Sequence, residues 1–158
     1  MKTINYPIFF IFILLFSCAP ADEVEEETIN TYVTEFTVNG KTNNIGTTRW
    51  SLKLNAIFTD EGQKGNFLMS LPDDLKLGTY KFTDGYIMIG YDNLPSYEAV
   101  YDKVDVTINK IGTENLYGMG VLQGTFTGTF VYYETDANNI AIGGGEVQIS
   151  GKFNTSIE

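Results

Sequence analysis

Hydrophobic and polar residues alternate with a period of two along most of the chain after residue 30, and this pattern predicts half-buried β-strands. In such a strand one row of side chains faces a core and the other row faces water. The rows that share a face are, in chain order, Tyr32, Thr34, Phe36 and Val38; Trp50, Leu52, Leu54, Ala56 and Phe58; Phe67, Met69 and Leu71; Tyr80 and Phe82; Val104, Val106 and Ile108; Leu122, Gly124, Phe126, Gly128, Phe130 and Tyr132; and Val147, Ile149, Gly151 and Phe153.

Turn-forming residues separate these rows at intervals of roughly 8 to 12 residues, as in all-β sandwiches and barrels. Examples are Asn39-Gly40, Asp60-Glu61-Gly62 and Pro72-Asp73-Asp74. No stretch after Cys18 has a convincing helical period. The sequence therefore predicts an antiparallel β-sandwich. A calycin-like closed β-barrel is the alternative, because alternation and short turns suit both and do not count the sheets.

Residues 86–91 are apolar on both rows. Such a segment is either a central strand covered on two sides or a strand whose outer face meets a partner, and the sequence leaves both open. Residues 92–98 follow and form the longest irregular connection that the sequence predicts.

A different pattern occupies the start of the chain, where Lys2 precedes an apolar run from Ile8 to Phe16. This layout is typical of a secretory signal, and the run is shorter than the about 20 apolar residues that span a bilayer. It ends in Leu15-Phe16-Ser17-Cys18, which resembles the box at which bacterial lipoprotein signals are cut. The resemblance implies cleavage before Cys18, a diacylglycerol on its sulfur and acylation of the new amino end. We therefore expect Cys18 to anchor the protein in membrane lipid.

Charge and composition limit the classes of partner and of catalytic site that the protein can have. The chain of 158 residues has 10 basic and 20 acidic side chains and no His, and removal of residues 1–17 takes away one Lys, so the mature net charge is −11. We expect no nucleic-acid partner, because phosphate binding needs a basic surface. Without His, the Ser-His-Asp and Cys-His catalytic groups, His-ligated zinc and a His pH switch are all ruled out. The single Cys forms no disulfide, and no cofactor is predicted.

The stretch 19–27 contains five acidic residues and no aromatic one, so we predict a solvated tether. It resembles the acidic stretch after the lipidated Cys in surface-exported lipoproteins of the Bacteroidota, although the acids here begin at Asp22. We expect an outer-membrane lipid anchor and leave open whether the protein faces the periplasm or the cell surface. The predicted organisation is a signal peptide over 1–17, lipidated Cys and tether over 18–29, and a single all-β domain over 30–158.

Four motifs follow one another in the second half of the chain. They are Leu77-Gly78-Thr79-Tyr80, the strand from Tyr101 to Ile111, Gly124-Thr125-Phe126-Thr127-Gly128-Thr129-Phe130, and Gly144-Gly145-Glu146-Val147. This order resembles a family of small Bacteroidota lipoproteins of unknown function, in which Phe is more frequent at the position of Val147. The resemblance implies a single sandwich-like domain and an origin in that phylum, and it implies no mechanism.

Acidic and aromatic residues near turns are the candidates for chemistry. Asp73-Asp74, Asp92-Asn93, Asp102 with Asp105, and Asp136 with Asn138 and Asn139 could hold calcium or act as a glycosidase pair. They are also ordinary turn residues, so no metal site is predicted and calcium remains the weaker alternative. Gly143-Gly144-Gly145 precedes a strand rather than a helix, which indicates a bulge or close backbone approach and not a phosphate loop.

Tyrosines flank the irregular connection, and a loop tyrosine offers a rigid ring with a polar tip for recognition. We predict ligand binding by Tyr91, Asp92, Asn93 and Tyr97, with a glycan or a peptide as the ligand, and we expect Tyr97 to be exposed. The alternative is that these rings are buried against the sheet.

These observations predict a non-enzymatic, membrane-anchored binding or adaptor lipoprotein of the cell envelope. A structural subunit docked on an outer-membrane complex and a hydrolase that uses carboxylates are the alternatives. An enzyme should have a concave site with convergent acids of perturbed pKa, whereas a docked subunit should have a large flat apolar patch.

Overall fold

Nine β-strands account for most of residues 33–136 and 140–156, the part of the chain that the computed structural model describes. The strands are β1 Val33–Val38, β2 Lys41–Ser51, β3 Ala56–Thr59, β4 Gly65–Ser70, β5 Gly78–Lys81, β6 Ile87–Tyr91, β7 Tyr97–Glu114, β8 Met119–Thr135 and β9 Ala141–Ser156. No helix in this part of the chain could cross a membrane. Cys18 and the predicted tether lie outside the described residues.

Eight of the strands close into an antiparallel barrel. Going around it, β1 pairs with β2, then come β3, β4, β6, β7, β8 and β9, and β9 pairs again with β1. The ninth strand, β5, lies beside β7 alone, next to the short β6–β7 pairing. The prediction of an all-β fold is confirmed. The preference for a sandwich is wrong, because β1 bonds to both β2 and β9 and so joins what would otherwise be separate sheets; the closed barrel was the alternative.

Aromatic side chains fill the barrel interior. The largest fully buried ones belong to Phe36, Phe67, Phe126, Phe130 and Phe153, and interior positions of small barrels are filled by side chains in this way. Phe126 stacks on Phe67 with ring centroids 5.5 Å apart. The alternation predicted for β7, β8 and β9 is confirmed, since the predicted inward rows supply a large part of this core.

One predicted row does not exist as a continuous strand. The chain turns at residues 52–55, where Asn55 adopts a positive φ of 47° and its N–H bonds to the carbonyl of Leu52 at 3.2 Å. The turn reverses the inward row, so that Ile57 is buried and Phe58 lies outside. A single strand over residues 50–58 was therefore the wrong prediction.

Strand directions give the barrel two ends. Connections 52–55, 71–77 and 115–118 gather at one of them, and connections 39–40, 60–64 and 92–96 gather at the other. We call the first the entry end, because β1 begins on that side and runs away from it, and the second the far end. The connection 71–77 is longer than 92–96, so the prediction that residues 92–98 form the longest connection was also wrong.

Candidate functional site

The predicted ligand-binding residues lie at the far end, on the turn between β6 and β7. The turn is tight: the N–H of Leu94 donates to the carbonyl of Tyr91 at 3.0 Å, and Asn93 has a φ of 60°, a conformation that Asn tolerates better than most residues. Asp92 and Asn93 are exposed at its tip. The two residues that follow the predicted strand are therefore brought to the surface together.

The ring of Tyr97 is part of the core, with only 5% of its surface exposed. Its centroid lies 6.1 Å from that of Phe36 and 6.2 Å from that of Tyr132. Burial raises the pKa of Tyr97 above the ordinary value of 10.0, and the neighbouring Tyr132 raises it further. The expectation that Tyr97 is exposed is wrong, because this residue opens β7, pairs with β6 and β8, and points inward with the strand.

Tyr91 is half-buried and meets the edge of the same Phe36 ring, with centroids 5.8 Å apart. The structure thus brings Tyr91 and Tyr97 together beneath the turn, with Asp92 and Asn93 above them. Ligand binding by these four residues stays a prediction. Of the four, Asp92 and Asn93 are the exposed ones that a ligand can reach. Lipidation of Cys18 also stays a prediction.

The acidic clusters do not converge within residues 33–136 and 140–156; Asn138 and Asn139 lie outside the described residues. Asp73 accepts a hydrogen bond from Asn55 at 3.3 Å, and Asp105 pairs with Lys81 at 2.8 Å. No group of three or more His, Cys, Asp or Glu residues in this part of the chain is placed to hold a metal ion. The Asp residues of these clusters that the structure describes lie in or near turns, and Asp74 and Asp105 pair with nearby lysines.

A surface that the sequence did not single out lies on the outside of β3, β4 and β6. Phe58, Leu68 and Met88 occupy one outward row across these strands, because Phe58 pairs with Leu68 and Leu68 pairs with Met88. Leu68 is 38% exposed and Met88 41% exposed, and Phe58 is half-buried. Three large apolar side chains therefore stand in register on the surface.

The row borders a groove of about 380 Å³. Gly90 forms part of its lining and has no side chain to fill it, and Asn66 and Ser96 lie on either side of Gly90. Ser96 belongs to the β6–β7 turn, so the groove leads from the apolar row to the predicted binding turn. We call this surface the outer groove and define it by Phe58, Asn66, Leu68, Met88, Gly90 and Ser96.

Charged residues mark both ends of the apolar row. Arg49 pairs across β2 and β3 with Phe58, and its Nε lies 2.6 Å from Oδ1 of Asp60. At the other end Glu98 pairs with Met88, is exposed, and forms no ion pair with a residue that the structure describes. The row therefore has one carboxylate available to a cationic group of a partner.

The opposite side of the barrel has a different character. Its outward row across β1, β9, β8, β7 and β5 consists of Glu35, Lys152, Thr125, Thr107 and Thr79. Lys152 pairs with Glu35 at 3.1 Å, and the hydroxyls of Thr79 and Thr107 are 2.9 Å apart. This row is polar from β1 to β5, in contrast to the apolar row on β3, β4 and β6; the exposed apolar side chains of β8 and β9, Tyr133 and Ile142, lie outside it, near the far end.

One sequence signal pointed to the outer groove. Residues 86–91 are apolar on both rows. In the part of the chain that the structure describes, Ile87 and Ile89 are fully buried inside whereas Met88 is exposed outside, so this strand is not covered on two sides there. A partner on its outer face stays a prediction. The contributions of Phe58 and Leu68 could not be found in the same way, since the assumed strand over residues 50–58 placed Phe58 in the core.

No protein-family model, curated protein or solved structure matches this chain.

Proposed function

We propose that the protein is a lipid-anchored, non-enzymatic binding module of the bacterial cell envelope that holds a protein partner in its outer groove. The observation that carries this proposal is the registered row of Phe58, Leu68 and Met88 beside an open groove, whereas the row on the opposite side of the barrel, from Glu35 to Thr79, is polar. The filled interior supports binding on the outside, because aromatic side chains occupy the space that a ligand would need.

A protein suits this surface better than a glycan does. Aliphatic and thioether side chains gain most when they are covered by other apolar side chains, at about 25 cal/mol for each Å² removed from water. Met88 adapts its shape to different partners because its side chain is unbranched and polarisable. Glu98 at the end of the row favours a partner with a Lys or Arg next to its apolar residues.

The test is photocrosslinking in living cells, with a photoreactive amino acid placed at one position at a time in the full-length chain. At Met88 we expect a discrete crosslinked adduct. The matched control is Thr127, which is exposed on β8 on the polar side of the barrel, and there we expect no adduct of that size. Equal labelling from both positions, or none from either, contradicts the proposal.

A second arm separates the groove from its surroundings. With the photoreactive group at Leu68, the additional change Met88→Asp should abolish the adduct, because it places a carboxylate in the centre of the row. Asn93→Asp should leave the adduct intact if the groove rather than the turn binds the partner. Loss of the adduct only with the Asn93 change would move the site to the predicted residues Tyr91, Asp92, Asn93 and Tyr97.

A separate measurement tests the proposed lipid anchor on Cys18. Mass spectrometry of the membrane fraction should give an amino-terminal Cys18 peptide that carries acyl chains, and Cys18→Ser should release the protein from that fraction or leave it unprocessed. An unmodified Cys18 peptide in mature, membrane-fractionated protein would rule out the lipid anchor.

A further inference from the structure

Large apolar side chains project from the loops of the entry end. Leu116 is fully exposed and Tyr117 is 88% exposed on the β7–β8 turn, and Leu54 is 67% exposed on the β2–β3 turn. Leu77, just before β5, is exposed as well. We call these four residues the apolar tips. Single exposed apolar residues are ordinary, but several at one end of a domain indicate a contact surface.

Hydrogen bonds join the loops that carry the tips. The N–H of Leu52 donates to the carbonyl of Gly118 at 3.0 Å, which links the β2–β3 turn to the β7–β8 turn. The N–H of Leu71 donates to the carbonyl of Asn55 at 2.9 Å, and this bond links the β2–β3 turn to the connection 71–77. The three loops that carry the tips are therefore linked to one another at the entry end.

Hydrogen bonds within the β7–β8 turn fix the backbone that carries Leu116 and Tyr117. The side-chain oxygen of Asn115 accepts hydrogen bonds from the N–H groups of Tyr117, at 2.9 Å, and of Met119, at 3.1 Å. The N–H of Gly118 bonds to the carbonyl of Asn115 at 3.1 Å. This network satisfies the backbone of the turn internally and leaves the side chains of Leu116 and Tyr117 directed outward.

The position of β1 connects this end with the predicted anchor. Val33 pairs with Thr47, in the half of β2 that runs down to Ser51 and the entry end, and β1 then leads away from it. Cys18 is 15 residues before Val33, and a fully extended chain of that length spans at most about 50 Å. A lipid on Cys18 therefore keeps the barrel within about that distance of the membrane, and β1 begins in the half of the barrel nearer the apolar tips.

We infer that the entry end rests on the lipid bilayer, with Leu54, Leu77, Leu116 and Tyr117 inserted at its interface. This inference rests on the proposed lipid anchor. Leu side chains gain from burial in the acyl region, and Tyr suits the boundary because its ring is apolar and its hydroxyl is polar.

Nearby charges do not supply the attraction. Two lysines at this end, Lys53 and Lys76, lie near two aspartates, Asp73 and Asp74, and Lys76 pairs with Asp74 at 3.2 Å. These charges cancel and the chain as a whole is acidic, so the contact is apolar. It should persist at high salt, where electrostatic attraction to anionic lipid is screened. The docked barrel then directs its far end, with Asp92 and Asn93, away from the membrane.

The experiment uses the full-length lipidated protein in vesicles of phosphatidylethanolamine and phosphatidylglycerol. Leu116→Cys carries a nitroxide label, and Cys18 does not react because its sulfur is acylated. Ile142→Cys is the matched control, since Ile142 is 67% exposed but lies on β9 near the far end. Flotation of the vesicles in the same sample reports whether the protein is anchored.

We expect the label at residue 116 to be severalfold less accessible to a water-soluble nickel chelate than the label at residue 142, and more accessible to oxygen, at low and at high salt. Equal accessibility to nickel in floated protein overturns the membrane contact and leaves the anchor standing. Dipolar broadening of the nitroxide spectrum by the label at residue 116 of a second molecule overturns the membrane contact. It would show that this end instead contacts another copy of the chain. Protein that does not float overturns the anchor and this inference with it.

Discussion

The phenol ring of Tyr97 lies between Phe36 and Tyr132 inside the barrel, although its place in a polar stretch of sequence suggested exposure. Its burial changes what the hydroxyl does. The folded chain disfavours the charged phenolate, so the pKa of Tyr97 is above the 10.0 of an exposed tyrosine. This residue therefore couples the stability of the far end to alkaline pH.

The first prediction follows from this coupling. Below pH 10.0 both the folded and the unfolded chain keep the proton, and above that pH the unfolded chain loses it first, so the free energy of unfolding falls by up to about 1.4 kcal/mol per pH unit. Tyr97→Phe should remove this part of the decline between about pH 9 and pH 11. Chemical denaturation across that range is the measurement. Tyr133→Phe, at an exposed position, should decline like wild type, and an equal benefit from both changes would contradict the assignment to Tyr97.

The second prediction concerns two glycines of β9. A methyl group on Gly151 would overlap the ring of Phe126 and lie 2.6 Å from the carbonyl oxygen of Glu35, whereas one on Gly145 would meet nothing closer than 3.5 Å. Gly151→Ala should therefore cost about 1–3 kcal/mol through overpacking, and Gly145→Ala should change stability by less than about 0.5 kcal/mol. Denaturant unfolding of both variants checks this. Similar stabilities would show that the rings adjust without cost.

At the scale of elements, the lower part of β2 shows how the barrel closes near the entry end. Thr48 pairs with Thr155 of β9, and two residues later Trp50 pairs with Gly120 of β8. The buried hydroxyl of Thr155 lies where β2 changes its partner strand. It accepts a hydrogen bond from the N–H of Leu122 at 2.8 Å and donates one to the carbonyl of Gly120 at 3.0 Å. One side chain thus joins β9 to β8 where their ladder ends.

The third prediction tests this junction. Thr155→Val keeps the shape of the side chain but leaves the buried N–H of Leu122 without its acceptor, which should cost about 1–3 kcal/mol. Thr125→Val alters an exposed position on β8, opposite Lys152 of β9, and should change the free energy of unfolding by less than about 0.5 kcal/mol. Equilibrium unfolding in denaturant compares them. If Thr155→Val is as mild as its control, the hydroxyl does not hold the junction.

Period-two alternation was sufficient to identify β8, β9 and the part of β7 from Lys103 onward, because most inward side chains there are apolar. It missed the start of β7 at Tyr97 and the buried Thr155 of β9. It failed for β2, where Asn43 and Thr48 are buried polar residues and break the pattern. It also failed at residues 52–55, because Leu52 and Leu54 continue the alternation through a turn. Closure of the barrel depends on hydrogen bonds between strands that are distant in sequence, such as β1 and β9. The periodicity of one strand contains no information about such pairing. The outer groove is formed by side chains from three strands that pair in register. Only its β6 part could be noticed in the sequence, because residues 86–91 are apolar on both rows.

At the scale of the whole molecule, the barrel is asymmetric in two directions. Around its circumference, the apolar row of the outer groove faces away from the polar row of Thr125 and Thr107. Along its axis, the apolar tips lie at the end nearer the start of β1. The other end carries Asp92 and Asn93 on the β6–β7 turn, besides the exposed Ile140 and Ile142. This arrangement accounts for our proposal of a module that is held on a membrane at one end and binds a partner with one side.

The most direct test of that proposal is the size of the native complex. Full-length protein extracted from membranes in mild detergent should sediment faster than the single chain, because a partner occupies the outer groove. Met88→Asp should reduce it to the single chain, and Thr127→Asp, on the polar side, should sediment like wild type. A wild-type protein that sediments as a single chain, or two Asp variants that behave alike, would contradict the account.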